Sequence, residues 1–197
     1  MIERIMDIVR EASRLMASPD KIKIMQNGGN ENIVTSSDIA VQDFLRARLA
    51  ELIPDSGFIC EEGDIADVRH NRVWIIDPID GTANYARGVD QCAICVGLCH
   101  EGSMEMSVVY LPRTDEMFSA MRGNGAWRNG ERIHVSTRSF DDAIMCTALP
   151  VYHKEQAAWC ADAIRDVFMQ CNDIRRLGAA APELCYLSIW RFDMSLE

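Results

Sequence analysis

Two acids three residues apart, Asp77 and Asp80, stand at the end of an apolar run at residues 73–76. Carboxylates at the exit of a buried strand are costly unless a cation or hydrogen bonds compensate them. Pro78 and Ile79 separate the acids, and Gly81-Thr82 follows at a helix start. This order of residue types fits a Mg²⁺ site with a phosphate seat beside it. Further acids lie upstream, Glu61-Glu62 after a short apolar stretch and Asp38 in Thr35-Ser-Ser-Asp38. By themselves Glu61 and Glu62 read as solvated loop acids. Asp38 reads as a helix-start acid, with Thr35 completing a capping box in which Asp replaces the preferred Glu.

Other reactive side chains point to less. Cys92-Ala-Ile-Cys95 has the spacing of a redox or zinc pair, but the surrounding run reads as a strand, where positions three apart face opposite sides. These cysteines, like most of the eight, are expected in the core as small hydrophobes. His70, His100, His134 and His153 share no ligand spacing and read as surface or turn residues. Gly123-Asn124-Gly125 is a tight turn, since no third glycine opens a helix as in a dinucleotide fingerprint.

The elements that must position the acids follow from periodicity. Residues 1–16 carry a helical apolar stripe, residues 21–25 and 33–34 read as a hairpin, and Asn27-Gly28-Gly29-Asn30 as its turn. A helix runs from Thr35 to Pro54 with Ile39, Phe44, Leu45, Leu49 and Leu52 apolar. Strands are expected at 57–60, 73–76, 91–98, 104–111, 116–120, 125–128 and 132–135, with residues 64–72 a polar surface connection. After residue 142 the character shifts. A strand at 143–148, a helix at 155–169 with an apolar side at Ala158, Trp159, Ala163, Val167 and Phe168, a short strand at 174–177, a helix opened by Gly178-Ala179-Ala180-Ala181-Pro182-Glu183 and a strand start at 193–197 follow.

A chain of 197 residues can bury a substantial core, and its 25% charged and 48% hydrophobic content is ordinary for a globular protein. The net charge of −10 argues against a nucleic-acid or anionic-membrane partner. Small anionic substrates stay open, because a bound metal reverses the local sign. Apolar runs such as residues 92–99 are too short to span a bilayer, and Glu3, Asp7 and Glu11 rule out a leader at residues 1–16, so a cytoplasmic protein is expected.

The stretch Asp77-Pro-Ile-Asp80-Gly81-Thr82-Ala-Asn84-Tyr85 resembles the Asp-Pro-Ile/Leu-Asp-Gly-Thr-x-Asn-Phe/Tyr signature of the inositol monophosphatase family of Mg²⁺-dependent phosphomonoesterases. Glu61-Glu62-Gly63, Val34-Thr35-Ser-Ser-Asp38, Gly125-Ala-Trp127-Arg-Asn129-Gly130 and Arg176-Leu-Gly178-Ala-Ala180-Ala181 are similar to further family segments, so the likeness runs across the chain. It implies that Glu61, Asp77 and the Ile79 carbonyl hold one Mg²⁺, with Asp77 and Asp80 on a second. Gly81 and Thr82 would seat the phosphate, and Thr82 paired with Asp38 would orient and deprotonate the attacking water. Asp80, Ala180 and Glu197 would contact substrate. The physical chemistry agrees, since Mg²⁺ takes oxygen ligands and Gly81 lets a phosphate approach without a Cβ in the way. Glu62 is expected beside the ligands or in solvent.

Two departures stand out. The family's later Trp-Asp-x-Ala-Ala-Gly signature, whose Asp serves the second metal, does not occur, and Ala179 replaces a hydroxyl residue. By the resemblance the chain reads as C-terminally shortened, with an exposed apolar face in its second part that favours self-association. The expected fold is α/β of the layered α+β kind, the sugar-phosphatase αβαβα type. It has an antiparallel sheet flanked by helices and an incomplete second sheet. Residues 1–138 would form the metal- and phosphate-binding domain and residues 139–197 an incomplete second one. The expected function is Mg²⁺-dependent hydrolysis of inositol or sugar phosphates by metal-activated water. The alternative is a shortened member that binds metal and phosphate without efficient turnover. The expected partner is a small phosphate monoester, with no nucleic acid and no membrane, in a homodimer.

Overall fold

The computed structural model describes residues 1–16, 22–26, 33–63, 66–151 and 153–196. The turn expected at residues 27–30, the strand start at Lys21, part of the 64–72 connection and Glu197 lie outside the described residues. The chain divides into two compact units, Met1–Arg132 and Ile133–Glu197.

The first unit is built on eight strands: β3 (Ser56–Cys60), β4 (Ala66–Asp67), β5 (Arg72–Asp80), β6 (Ala93–His100), β7 (Ser103–Leu111), β8 (Glu116–Met121), β9 (Gly125–Arg128) and β10 (Glu131–Arg132). They lie in the order β10-β9-β8-β7-β6-β5-β3-β4. Neighbours are antiparallel except β3 and β5, so the sheet is mixed rather than wholly antiparallel. Helices α1 (Ile2–Ser13) and α2 (Ser36–Leu52) pack on it. Ile5, Ile8, Val9 and Ala12 of α1 form one helical stripe, and Val41, Leu45 and Leu49 form that of α2. They close over Trp74 and Ile76 of β5, Ile94, Val96 and Leu98 of β6, and Met106 and Val108 of β7. Each fully buried aliphatic side chain contributes about 1.5–3 kcal/mol. The expected stripe of α2 is corrected at one end, since Ile39 is exposed and Val41 takes the core position.

The hairpin of β1 (Ile24–Gln26) and β2 (Ile33–Thr35) leads directly into α2. The capping box forms as its residues suggest. Thr35 Oγ1 accepts the Ser37 and Asp38 N–H groups, and the Asp38 carboxylate accepts the Thr35 N–H at 2.9 Å.

The central strand does not end at Ile76. β5 continues through Asp80, and its register against β6 shifts between Asp77 and Asp80. Pairing with β3 stops at Cys60 and Ile76. Pro78 therefore falls where the strand keeps one neighbour and bulges, which a residue without an N–H tolerates. The last sheet strand is also shorter than expected, ending at Arg132.

The second unit holds β11 (Ile144–Thr147), α4 (Ala157–Phe168), β12 (Asp173–Arg175), α5 (Ala180–Ser188) and β13 (Met194–Leu196). Its strands run parallel in the order β12-β11-β13, with a helix on each crossover. The apolar side expected for α4 is not covered. Cys160 is its buried residue, while Trp159 is 67% and Phe168 51% exposed. No helix among the described residues is long and apolar enough to cross a membrane. The architecture is a mixed α/β fold, a central sheet flanked by helices with smaller sheets beside it.

Candidate active site

The acids gather where β3 ends beside β5, which runs on to Asp80. The Glu61 N–H donates to the Ile76 carbonyl at 3.1 Å, which extends the parallel ladder by one contact and sets Glu61 beside Asp77. The bulge then returns the chain so that Asp80 follows at the same edge. Gly81 adopts a left-handed conformation, φ 83°, that a side chain would strain, and it caps the five-residue helix α3 (Thr82–Ala86). The Thr82 hydroxyl lies 2.9 Å from the Ile79 carbonyl and 3.1 Å from Asp38 Oδ1. Its single proton serves one of these acceptors at a time. The other Asp38 oxygen receives both the N–H and the hydroxyl of Thr35.

Burial and mutual repulsion dominate the electrostatics. Asp77 is pushed up to about 9, first by desolvation, then by a hydrogen bond and the charge of Glu61, with Asp80 and Asp38 adding to it. Its Oδ1 is buried without a hydrogen-bond partner. Glu62 is 7% exposed and pushed up to about 7 by burial and by the charges of Asp38 and Glu61. Asp38 is raised by burial, against the hydrogen bonds from Thr35 and Thr82 that lower it.

Three carboxylates, Glu61, Asp77 and Asp80, thus lie near one strand edge, with one buried Asp77 oxygen left without a partner. That donor set fits a Mg²⁺ ion, which would relieve the orphaned Asp77 oxygen and the repulsion together. Among the described residues no group of three or more His, Cys, Asp or Glu side chains converges in metal-ligating geometry. Glu61 and Asp77 share a hydrogen bond at this edge.

The structure brings Asp38 to Thr82, Glu61 to Asp77, and Ile79 to Thr82 through its carbonyl. Ala180 is the first residue of α5, in the second unit. The loop before it is held by Glu183, 1% exposed, whose Oε1 accepts the Leu177 and Gly178 N–H groups. Cys92 is 1% exposed, packs with Ile79 and Tyr85, and is pushed up to about 11 by burial. The eight cysteines form no disulfide, and of the Cys92-Cys95 pair Cys92 is buried and Cys95 half-buried. A cavity of about 450 Å³ lies elsewhere, lined by α1 residues such as Asp7 and Arg10 together with Asp115 and Met117, and touches none of these groups.

Two polar residues at this edge, Gln42 and Ser37, were not singled out by the sequence. Gln42 of α2 hydrogen-bonds the Glu62 backbone, and Ser37 accepts the Tyr85 hydroxyl at 2.9 Å. Glu62 itself is buried rather than solvated, because α2 covers the turn it sits on. A Gln at the fourth position after a capping acid shares that acid's helix face, which is the one sequence cue available.

The chain matches the family model described as the inositol monophosphatase family over residues 2–197. It is 33% identical over 187 residues to the Nus factor SuhB of Vibrio cholerae, covering 94% of this chain and 70% of that protein. It is 34% identical over 167 residues to the inositol-1-monophosphatase of Rhizobium meliloti, covering 84% of this chain and 63% of that protein. The crystal structure of the extragenic suppressor protein SuhB from Bartonella henselae superposes with a TM-score of 0.89 at 27% identity, covering 99% of this chain and 77% of that one. A family match over residues 2–197, together with a relative 33% identical over 187 residues, shows that the chain belongs to the inositol monophosphatase family.

Proposed function

We propose that the protein is a Mg²⁺-dependent phosphomonoesterase that hydrolyses inositol or sugar phosphates. The observation that carries this reading is the Asp38-Thr82 pair beside the crowded acids, a base and a hydroxyl facing a cation-shaped deficit. Glu61, Asp77, Asp80 and the Ile79 carbonyl would hold the metal. Mg²⁺, when bound, supplies positive charge against phosphate oxygens and acidifies water.

The chain's own groups do the rest. As the Thr82 proton passes to Asp38 Oδ1, the Thr82 oxygen takes a proton from a water whose oxygen bonds phosphorus in line, while the opposite P–O bond to the alcohol breaks and the departing oxygen takes a proton from solvent water. Burial makes Asp38 a stronger base than a solvated carboxylate, which suits that acceptor role. Gly81 and Thr82 present backbone N–H groups to the phosphate at the bend after β5, where no Cβ obstructs. Asp80 would meet the alcohol part of the substrate. The inositol-1-monophosphatase name of the Rhizobium relative supports this substrate class.

A second reading is binding of metal and phosphate without efficient turnover. Relatives named Nus factor SuhB rather than phosphatase lend it weight. Phosphate release from inositol 1-phosphate, with and without Mg²⁺, separates the two. Release that needs Mg²⁺ and vanishes in Asp77→Asn supports the enzyme. Equal background rates in both proteins, with Mg²⁺ still bound by the parent chain, support the second reading.

A further inference from the structure

We propose that Gln42 is a positioning residue for the acid edge: its side-chain amide grips the backbone of Glu62 and so fixes the direction in which Glu61 leaves β3. Gln42 is 3% exposed on α2. Its Nε2 donates to the Glu62 carbonyl at 2.8 Å, and its Oε1 accepts the Glu62 N–H at 3.0 Å. Gripping the N–H and C=O of one residue reproduces what a neighbouring strand would do, just where β3 has run out of neighbours.

The consequence falls on Glu61. The peptide before it is held by the Ile76 carbonyl through the Glu61 N–H. The peptide after it carries the Glu62 N–H that Gln42 holds. Both peptide planes flanking the Glu61 Cα are therefore fixed, and its Cα–Cβ direction with them. One turn earlier on the same helix face, Asp38 accepts the Thr82 hydroxyl, and Ser37 accepts that of Tyr85. Helix α2 thus braces both arms of the edge, β3 through Gln42 and the β5–α3 bend through Asp38 and Ser37. Groups that orient metal ligands from behind commonly govern affinity nearly as strongly as the ligands themselves.

This inference rests on the Mg²⁺ reading of the site. The test is calorimetric titration of the full chain with MgCl₂ alone, alongside metal-free thermal melts. Gln42→Met, which keeps the volume and loses both hydrogen bonds, is expected to bind Mg²⁺ about 10-fold more weakly or worse. Gln42→Asn, whose shorter arm cannot span both groups, is expected to behave alike. Ile8→Val, a core change remote from the edge, controls for lost stability and is expected to leave Mg²⁺ affinity intact. A folded Gln42 variant that binds Mg²⁺ within about twofold of the parent overturns the inference but not the metal reading. So does equal weakening in Ile8→Val, or failure of both Gln42 variants to fold, since Gln42 would then support the fold at large. A parent chain that binds no Mg²⁺ overturns both.

Discussion

Asp38 caps a helix with one oxygen, completing the capping box with Thr35, and holds Thr82 with the other, which would be the proton acceptor in the proposed reaction. Asp38→Asn separates the roles. The amide oxygen keeps the bond from the Thr35 N–H, so stability should fall by about 1 kcal/mol. The proton acceptor is gone, so kcat should fall by about 10²–10⁴-fold, with Mg²⁺ affinity changed little. Steady-state kinetics, corrected for the folded fraction by a thermal melt, check this. Activity per folded molecule equal to that of the parent would remove Asp38 from the proton path. The capping box was legible from spacing alone. The pairing of Asp38 with Thr82 was not, because nothing local links residues 38 and 82, and only the family resemblance brought them together. Of the two places expected for Glu62, beside the ligands or in solvent, local sequence could not choose, for a related reason. Two adjacent acids after a strand look solvated until a helix is known to lie over them.

At the scale of elements, strong periodicity was read well and endings poorly. The stripes of α1 and α2 and the strands β6 and β7 were plain, since each buries one regular face. The length of β5 was not, because Pro78 argues for a stop. The strand survives it only where β3 has already ended, a fact about its neighbour. The exposed side of α4 likewise needs a partner surface that its own sequence does not name. Close packing at the β3–β4 edge gives a test of how firmly the acids are held. A Cβ on Gly57 would meet the Asp67 carbonyl oxygen at 2.0 Å and the His70 ring at 3.0 Å. Backbone cannot yield as a flexible side chain does. Gly57→Ala should therefore cost about 1–3 kcal/mol in urea denaturation. An unchanged midpoint would mean that β4 swings away freely and contributes nothing to the strand that carries Glu61.

Across the whole molecule, the acid edge should make stability depend on pH and metal in a linked way. Asp77 holds its proton up to about 9 in the folded protein, whereas an unfolded aspartate releases it near 3.9. Between those values the native state binds more protons, so this contribution is complete below about pH 4 and lost progressively as pH rises to about 9. Glu62, pushed up to about 7, acts in the same direction over a narrower window. The metal-free chain should thus melt at lower temperature at pH 8.5 than at pH 6. Mg²⁺ needs the ionised carboxylates and displaces their protons, so its stabilisation should grow over the same range. Asp77→Asn removes the titrating group, and its metal-free melting temperature should depend less on pH and gain little from Mg²⁺. Melts of both proteins from pH 5 to 9, with and without MgCl₂, read all of this at once. A Mg²⁺ effect that is flat with pH, or a metal-free parent that grows more stable toward pH 9, would mean the acids are neither crowded nor the place where the metal binds.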